Sequence, residues 1–220
     1  MKFEAIAKRI GLARESKSKY ILPYDNFLDK IHSAGALVDF TEDQKAPKEI
    51  RHEARKYFAI ACISAMENYF KRMAQVFIDS KWINDDFLSI LKQDNISLAD
   101  LLEINKKELS LGEIFSVSRS FQDLESINRI YSKMLGVGDF LKVVEMFNAE
   151  IDDGQYIVLK NDFPDFRKKI RELTNLRHLM VHHEGFKGIL GAQRLYDMAE
   201  NLVSFVAAAD AYILERVPED

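Results

Sequence analysis

Apolar residues recur along most of the chain at spacings of three and four, the pattern of helices that bury one face. The clearest stretch covers residues 48–79, and its recurring apolar positions are Phe58, Cys62, Ala65, Tyr69, Met73 and Val76. Between residues 57 and 66 apolar side chains lie on nearly every side, so we expect this helix at the centre of a bundle. Long helices are also predicted at 163–183 and 191–216. The pattern therefore predicts an all-α fold.

Shorter elements complete this picture. Short helices are predicted at 24–33, 85–93, 97–105, 111–118, 123–133 and 137–149. The polar stretch 39–47 is predicted to be a loop. Residues 155–160 (QYIVLK) have strand-like composition, but a single strand without a partner is marginal, so we predict a loop there as well.

Length and composition indicate one domain. The chain has 220 residues, 47% of them hydrophobic, and no Pro-rich or Gly/Ser-rich linker divides it. We expect a single domain over 1–220, in which 1–47 form a helical extension and loop, and 48–216 form the core bundle. The single cysteine, Cys62, has no disulfide partner, which fits a reducing cytoplasm. No secretory signal or membrane segment is recognised, so we expect a cytoplasmic protein.

Charge is unevenly distributed. The net charge of −4 argues against a general nucleic-acid coat protein. Residues 165–187 nevertheless contain six Lys/Arg against three Asp/Glu, and residues 1–20 contain six against two. We interpret the basic amino terminus as a solvated arm. The basic stretch near the carboxyl end is a candidate site for an anion.

The predicted helix at 163–183 carries an arginine on its apolar side. On a helical wheel the buried stripe consists of Phe166, Ile170, Leu173, Leu176, Met180 and Val181. Arg177 falls within this stripe. Burying an unpaired arginine costs several kcal/mol, so Arg177 is expected to meet an anion, reach a cleft or face another subunit.

A second, polar face of the same helix carries Arg171, Asn175, His178 and His182. A guanidinium stays charged and grips phosphate with a planar fork, while a histidine transfers protons near neutral pH, so Arg177 with His182 suits phosphodiester cleavage. Ideal helical geometry separates these two side chains by about 140°. Three arrangements remain open: the arginine reaches around, Gly185 distorts the last turn, or two copies of the helix face each other across a dimer.

The same residues also fit two other interpretations, neither of which involves cleavage. His178 and His182, four residues apart, could be two ligands of a metal, although that site would be incomplete without a further ligand. Arg177 could instead be structural and paired with a core acid such as Glu67, leaving the histidines facing solvent. The sequence contains no Gly-rich phosphate loop, serine triad order or His-Glu-x-x-His zinc motif.

The sequence resembles the HEPN superfamily of small all-α ribonucleases and RNA-binding modules. Arg177, His178 and His182 fill the three positions of its signature, with His178 where asparagine is usual. The lead-in 171–177, Gly185 and the segment 65–69 (AMENY) also match the family's layout. Residues 116–121, with the later Leu135-Gly136 step, look like the bacterial branch tied to defence and toxin–antitoxin systems.

This resemblance implies a HEPN-like bundle that cleaves RNA without metal or cofactor, through attack by the ribose 2′-hydroxyl. His182 is then the proton-transfer residue, Arg177 the phosphate ligand and His178 an orienting group. Arg171, Asn175 and His183 are candidate substrate-binding residues. His183 also fits a looser family spacing, which leaves the working histidine open between it and His182, and we favour His182.

The implied partners are an RNA substrate, a second copy in a homodimer and an antitoxin protein. The resemblance thus predicts an endoribonuclease that acts as a toxin or antiphage effector. The alternative is a catalytically inactive HEPN-like module that binds RNA, a nucleotide or a protein.

Overall fold

The computed structural model describes residues 21–84, 87, 110–152, 155–182 and 191–217. Within these ranges the chain forms eight helices and one two-stranded sheet, which confirms the all-α prediction. The helices are α1 (Ile21–Asp43), α2 (Lys48–Asp79), α3 (Leu111–Ser118), α4 (Leu124–Met134), α5 (Phe140–Met146), α6 (Leu159–Asp162), α7 (Phe166–His182) and α8 (Ala192–Leu214). The strands are β1 (Ala149–Asp152) and β2 (Gln155–Ile157).

Helix α2 lies at the centre of the bundle, as its apolar pattern predicts, and it has the predicted bounds. The ring of Phe70 contacts α4, α5 and α8 at once: its centroid lies 5.2 Å from that of Tyr131, 6.5 Å from Phe140 and 5.7 Å from Phe205. Cys62 is fully buried on α2, and burial raises the pKa of its thiol.

Helix α1 is longer than predicted. It continues for ten residues after residue 33 and includes residues 39–43 of the stretch that was predicted to be a loop. Two contacts explain why this polar stretch is helical. Thr41 is buried against the bundle, and the carboxylate of Glu42 accepts hydrogen bonds from Arg55 Nε at 2.9 Å and from Arg51 Nη1 at 3.2 Å. Both arginines lie on α2, so tertiary contacts hold the end of α1 where local composition favours a loop.

The predictions for 137–149 and 155–160 were wrong in part. Helix α5 ends at Met146, and Ala149 begins a strand that pairs antiparallel with β2. This strand was not predicted, and it is the partner whose absence argued for a loop at 155–160. Phe147 ends α5 in an extended conformation, with its ring 5.3 Å from that of Tyr212 on α8.

The remaining helices agree with expectation where the structure describes them. Helices α3, α4, α7 and α8 lie within three residues of their predicted bounds, and Asp123 caps α4 by accepting from the Ser126 N–H at 2.7 Å. The helices predicted at 85–93 and 97–105 lie outside the described residues, apart from Phe87. None of the helices in the described ranges is both long enough and apolar enough to cross a bilayer.

Candidate functional site

The first half of α7 packs against α8, and the second half extends beyond the start of α8. Phe166 stacks on Phe205 with 5.6 Å between ring centroids, and Lys169 forms an ion pair with Asp197 of α8. These contacts make α7 and α8 antiparallel. Helix α8 begins at Ala192, close to the level of Glu172, which pairs with Arg194. The last eight residues of α7 therefore continue about 12 Å past the start of α8.

The ends of three other helices lie at this same end of the bundle. Rings of Phe58 and Tyr196 meet at 5.4 Å, so the first part of α2 lies beside the start of α8. The Tyr196 hydroxyl donates to Asp39 Oδ1 at 2.6 Å, which brings the last part of α1 to the same level. We call this region the motif end of the bundle: residues 37–57 of α1 and α2, 173–182 of α7, and the first turn of α8.

Arg177 has the half-buried position that its place on the helical wheel predicts. Its Nη1 donates to Oε1 of Gln122 at 3.1 Å, and Gln122 lies in the connection between α3 and α4. Its Nε is buried without a hydrogen-bond partner. In the described part of the chain no carboxylate forms an ion pair with this guanidinium, and its side-chain partner there is a neutral amide.

The buried stripe of α7 is shorter than the wheel predicts. Phe166, Ile170 and Leu173 are buried, and Leu176 and Met180 are partly buried against the core. Val181, expected in the stripe, is instead 47% exposed. The reason is that α8 begins only at Ala192 and leaves the last turns of α7 without that neighbour.

His178 and His182 are both exposed and lie together, as their spacing predicts. Their ring centroids are 4.6 Å apart with 48° between the ring planes. Two imidazoles at this distance can both reach one phosphate group. They also lie in the last two turns of α7.

The other three candidate residues have different environments. Asn175 is exposed on the polar face of α7. Arg171 is exposed but forms an ion pair with Glu125 of α4, with Nε donating to Oε1 at 2.9 Å. An exposed pair of this kind is worth only about 0–1 kcal/mol, so it is easily exchanged for another anion. His183 lies outside the described residues.

No recorded side-chain contact within the described ranges joins Arg177 to either histidine. The guanidinium points toward Gln122, whereas the histidines contact each other on the polar face. The structure thus brings His178 and His182 together and leaves Arg177 beside them on a different side of the same helix. In a single chain of this conformation, Arg177 and His182 therefore lie on different sides of α7 and do not face one shared cleft.

Glu67, the acid considered as a partner for Arg177, forms an ion pair with Lys71 one turn along α2, at 2.7 Å. Among the described residues no cluster of three or more His, Cys, Asp or Glu side chains is arranged to hold a metal. A metal bound by His178 and His182 needs at least one ligand from elsewhere.

Gln122 is the residue at this site that the sequence did not indicate. It is 55 positions away from Arg177, and a lone glutamine after a serine-rich turn carries no recognisable pattern. Arg119 lies in the same connection, with its guanidinium carbon 5.7 Å from the centre of the Phe115 ring. In the sequence, the neighbouring segment 116–121 was singled out only because it resembles a bacterial branch of the HEPN superfamily.

Comparison with known proteins adds no relative. The chain matches none of the family models, curated proteins or solved structures with which it was compared.

Proposed function

We propose that this protein is a metal-independent endoribonuclease of the HEPN type. It cleaves RNA through attack of a ribose 2′-hydroxyl on the adjacent phosphorus, and it acts in the cytoplasm as a toxin or antiphage effector. The observation that carries the proposal is the state of Arg177: among the described residues its half-buried guanidinium has one neutral partner and an unsatisfied Nε, and the same helix carries the contacting pair His178 and His182.

A partly buried cation to which the described residues supply no counter-ion is the strongest of the supporting facts. Desolvation of a guanidinium is costly, and the cost is offset only when an anion completes its hydrogen bonds. Gln122 accepts one hydrogen bond and holds the group in place while leaving its charge intact. A phosphate diester supplies two oxygens to the planar fork, which is the geometry that arginine binds best.

In this proposal His182 supplies the proton transfer. In the proposed reaction the 2′-hydroxyl loses its proton to His182 and its oxygen bonds to phosphorus, while the 5′-oxygen leaves and takes up a proton. Arg177 stabilises the charge that develops on the non-bridging oxygens, and His178 orients the phosphate or His182. The products are a 2′,3′-cyclic phosphate and a 5′-hydroxyl. Asn175 and Arg171, on the polar face of α7, are the proposed contacts to neighbouring nucleotides, and His183 is a further candidate for this role.

The reaction needs both groups at one phosphate, and a single α7 separates them. A homodimer removes this difficulty, because Arg177 of one copy and His182 of the other can face the same cleft. The proposed partners are therefore RNA, a second copy of the chain and an antitoxin protein that restrains the activity. A HEPN-like module without catalysis is the alternative; it binds RNA, a nucleotide or a protein partner through the same arginine.

The proposal predicts a distinctive dependence on the 2′-hydroxyl. Purified protein should cleave a single-stranded oligoribonucleotide in the presence of EDTA and leave a cyclic phosphate, detected by mass spectrometry. The same strand with a single 2′-deoxy nucleotide at the cleaved position should stay intact there and still bind with similar affinity, because the attacking group alone is missing. Tight binding without cleavage of either strand supports the inactive module instead.

Gln122 offers a test of the phosphate-binding role of Arg177. Gln122→Glu puts a carboxylate 3.1 Å from Nη1 in place of the amide oxygen, so it competes with phosphate for the guanidinium. We expect oligoribonucleotide affinity to fall about tenfold, the effect of about 1.4 kcal/mol. Gln122→Met, which has similar volume and no charge, is the matched control and should bind within about threefold of the wild type. Fluorescence anisotropy measures both. Equal affinity of the two variants would place the phosphate elsewhere.

A further inference from the structure

The polar face of α7 continues along the helix, away from the motif end, as far as Lys168. Its residues are Lys168, Arg171, Asn175, His178 and His182, which follow one another at spacings of three and four and are all exposed. Side chains at these spacings lie in one row on a helix. The first and the last of them are fourteen positions apart, so the row is about 21 Å long. It contains no carboxylate.

Helix α4 lies beside this row, and two contacts fix its direction. Gln122, just before α4, accepts a hydrogen bond from Arg177, and Glu125 in the first turn accepts one from Arg171. A step forward along α4 is therefore a step back along α7. Arg129 is exposed and lies one turn after Glu125 on the same side of α4. It is consequently about 6 Å further along, toward the start of α7.

Lys168 and Arg129 are thus the two cations at the far end of the row. Neither forms an ion pair with any residue that the structure describes. The neighbouring Arg167 and Lys169, in contrast, pair with acids of α5 and α8. The charges of Lys168 and Arg129 therefore remain available to a ligand.

A single row of cations matches a single phosphate backbone. One strand of RNA presents its phosphates in one line, and basic side chains that follow this line bind it without regard to sequence. Duplex RNA is recognised through contacts that span its wide minor groove, which calls for a broader surface. The row begins at the histidines proposed to act on the cleaved phosphate. Phosphates on one side of that position can then lie along it.

We infer that Arg171 and Lys168 of α7, with Arg129 of α4, form a track that binds a single RNA strand on one side of the cleaved phosphate. This inference rests on the proposed function, which places that phosphate at His182, and it adds Lys168 and Arg129 as contacts to the backbone. In the free protein Glu125 holds Arg171, and a phosphate of the strand replaces this carboxylate on binding.

The first test removes the two cations from the full-length chain. Its probe is a single-stranded oligoribonucleotide with a 2′-O-methyl group on every ribose, which keeps the phosphates and lacks the attacking hydroxyl. Lys168→Ala and Arg129→Ala should each weaken binding roughly threefold and make the dependence of log affinity on log salt less steep by about 0.7. Lys30→Ala, at an exposed lysine of α1, is the matched control and should change neither quantity. Fluorescence anisotropy over a salt series measures both.

A second test acts in the opposite direction. Glu125→Gln releases Arg171 and removes a negative charge beside the track, so affinity for the same probe should rise about threefold. Asp29→Asn removes the same charge from an exposed position of α1, a helix that packs against α2 and α8, and should have no effect. Circular dichroism verifies the fold of every variant.

Several outcomes overturn the inference. They are wild-type affinity in Lys168→Ala and Arg129→Ala, weaker binding with an unchanged salt dependence, and a wild-type chain that does not bind the probe. The nuclease proposal is decided separately, by cleavage of unmodified RNA. If both variants bind more weakly as expected but the wild type cleaves no RNA, the track stands and the nuclease proposal fails. If RNA is cleaved, both variants should keep the wild-type single-turnover rate at saturating enzyme.

Discussion

His182→Ala should lower the rate of RNA cleavage about 10²–10⁴-fold, the usual worth of a positioned proton-transfer group. The side chain is exposed at the last turn of α7, so its removal leaves the core untouched and the midpoint of thermal unfolding should not change. Single-turnover cleavage of a labelled oligoribonucleotide at saturating enzyme separates the chemical step from binding. We expect binding to remain within a few-fold of the wild type.

Two neighbouring histidines provide the controls for this prediction. His178→Ala removes a ring that contacts His182 at 4.6 Å and should cost about tenfold, because it orients rather than transfers a proton. His183→Ala should cost little. If His183→Ala abolishes cleavage and His182→Ala does not, the working histidine is one position further along. Equal rates for the wild type and all three variants contradict the ribonuclease proposal.

The fold was predictable wherever a segment buries one face regularly. Helix α2 has its expected bounds because its buried residues recur regularly from Ala54 to Ile78 and Pro47 precedes its first residue. The end of α1 was mistaken for a loop, since Glu42 is helical only through arginines that reach it from α2. The β-hairpin was not predicted for a similar reason. The sequence of its first strand does not by itself indicate a strand, and that segment is extended because it pairs with β2.

The site was predictable in part, and the limits are physical. Spacing alone places His178 beside His182 and puts Arg177 on the buried side, because both follow from helical geometry. The contact with Gln122 depends on how the connection between α3 and α4 packs against α7, which no local pattern encodes. The exposure of Val181 depends on where α8 begins. Of the two, the contact with Gln122 bears directly on what the arginine can bind.

The second large effect concerns how Arg177 and His182 are shared between subunits. Arg177→Ala alone should lower cleavage about 10²–10³-fold, because it removes the group that stabilises charge on the phosphate.

Heterodimers can be purified with a different tag on each chain. When one chain carries Arg177→Ala and the other His182→Ala, a site built from both chains is intact at one of its two positions. We expect about half of the wild-type rate per dimer.

The matched heterodimer pairs a wild-type chain with one that carries both substitutions, so each dimer has the same two changes in a different distribution. In a site built from both chains, each cleft then lacks one group, and cleavage should stay at the level of the single variants. If each site lies within one chain, the order reverses: the wild-type chain keeps an intact site, and the first heterodimer has none. Comparing the two rates at equal dimer concentration therefore decides whether the separation of the two groups around α7 is resolved by a partner or within one chain.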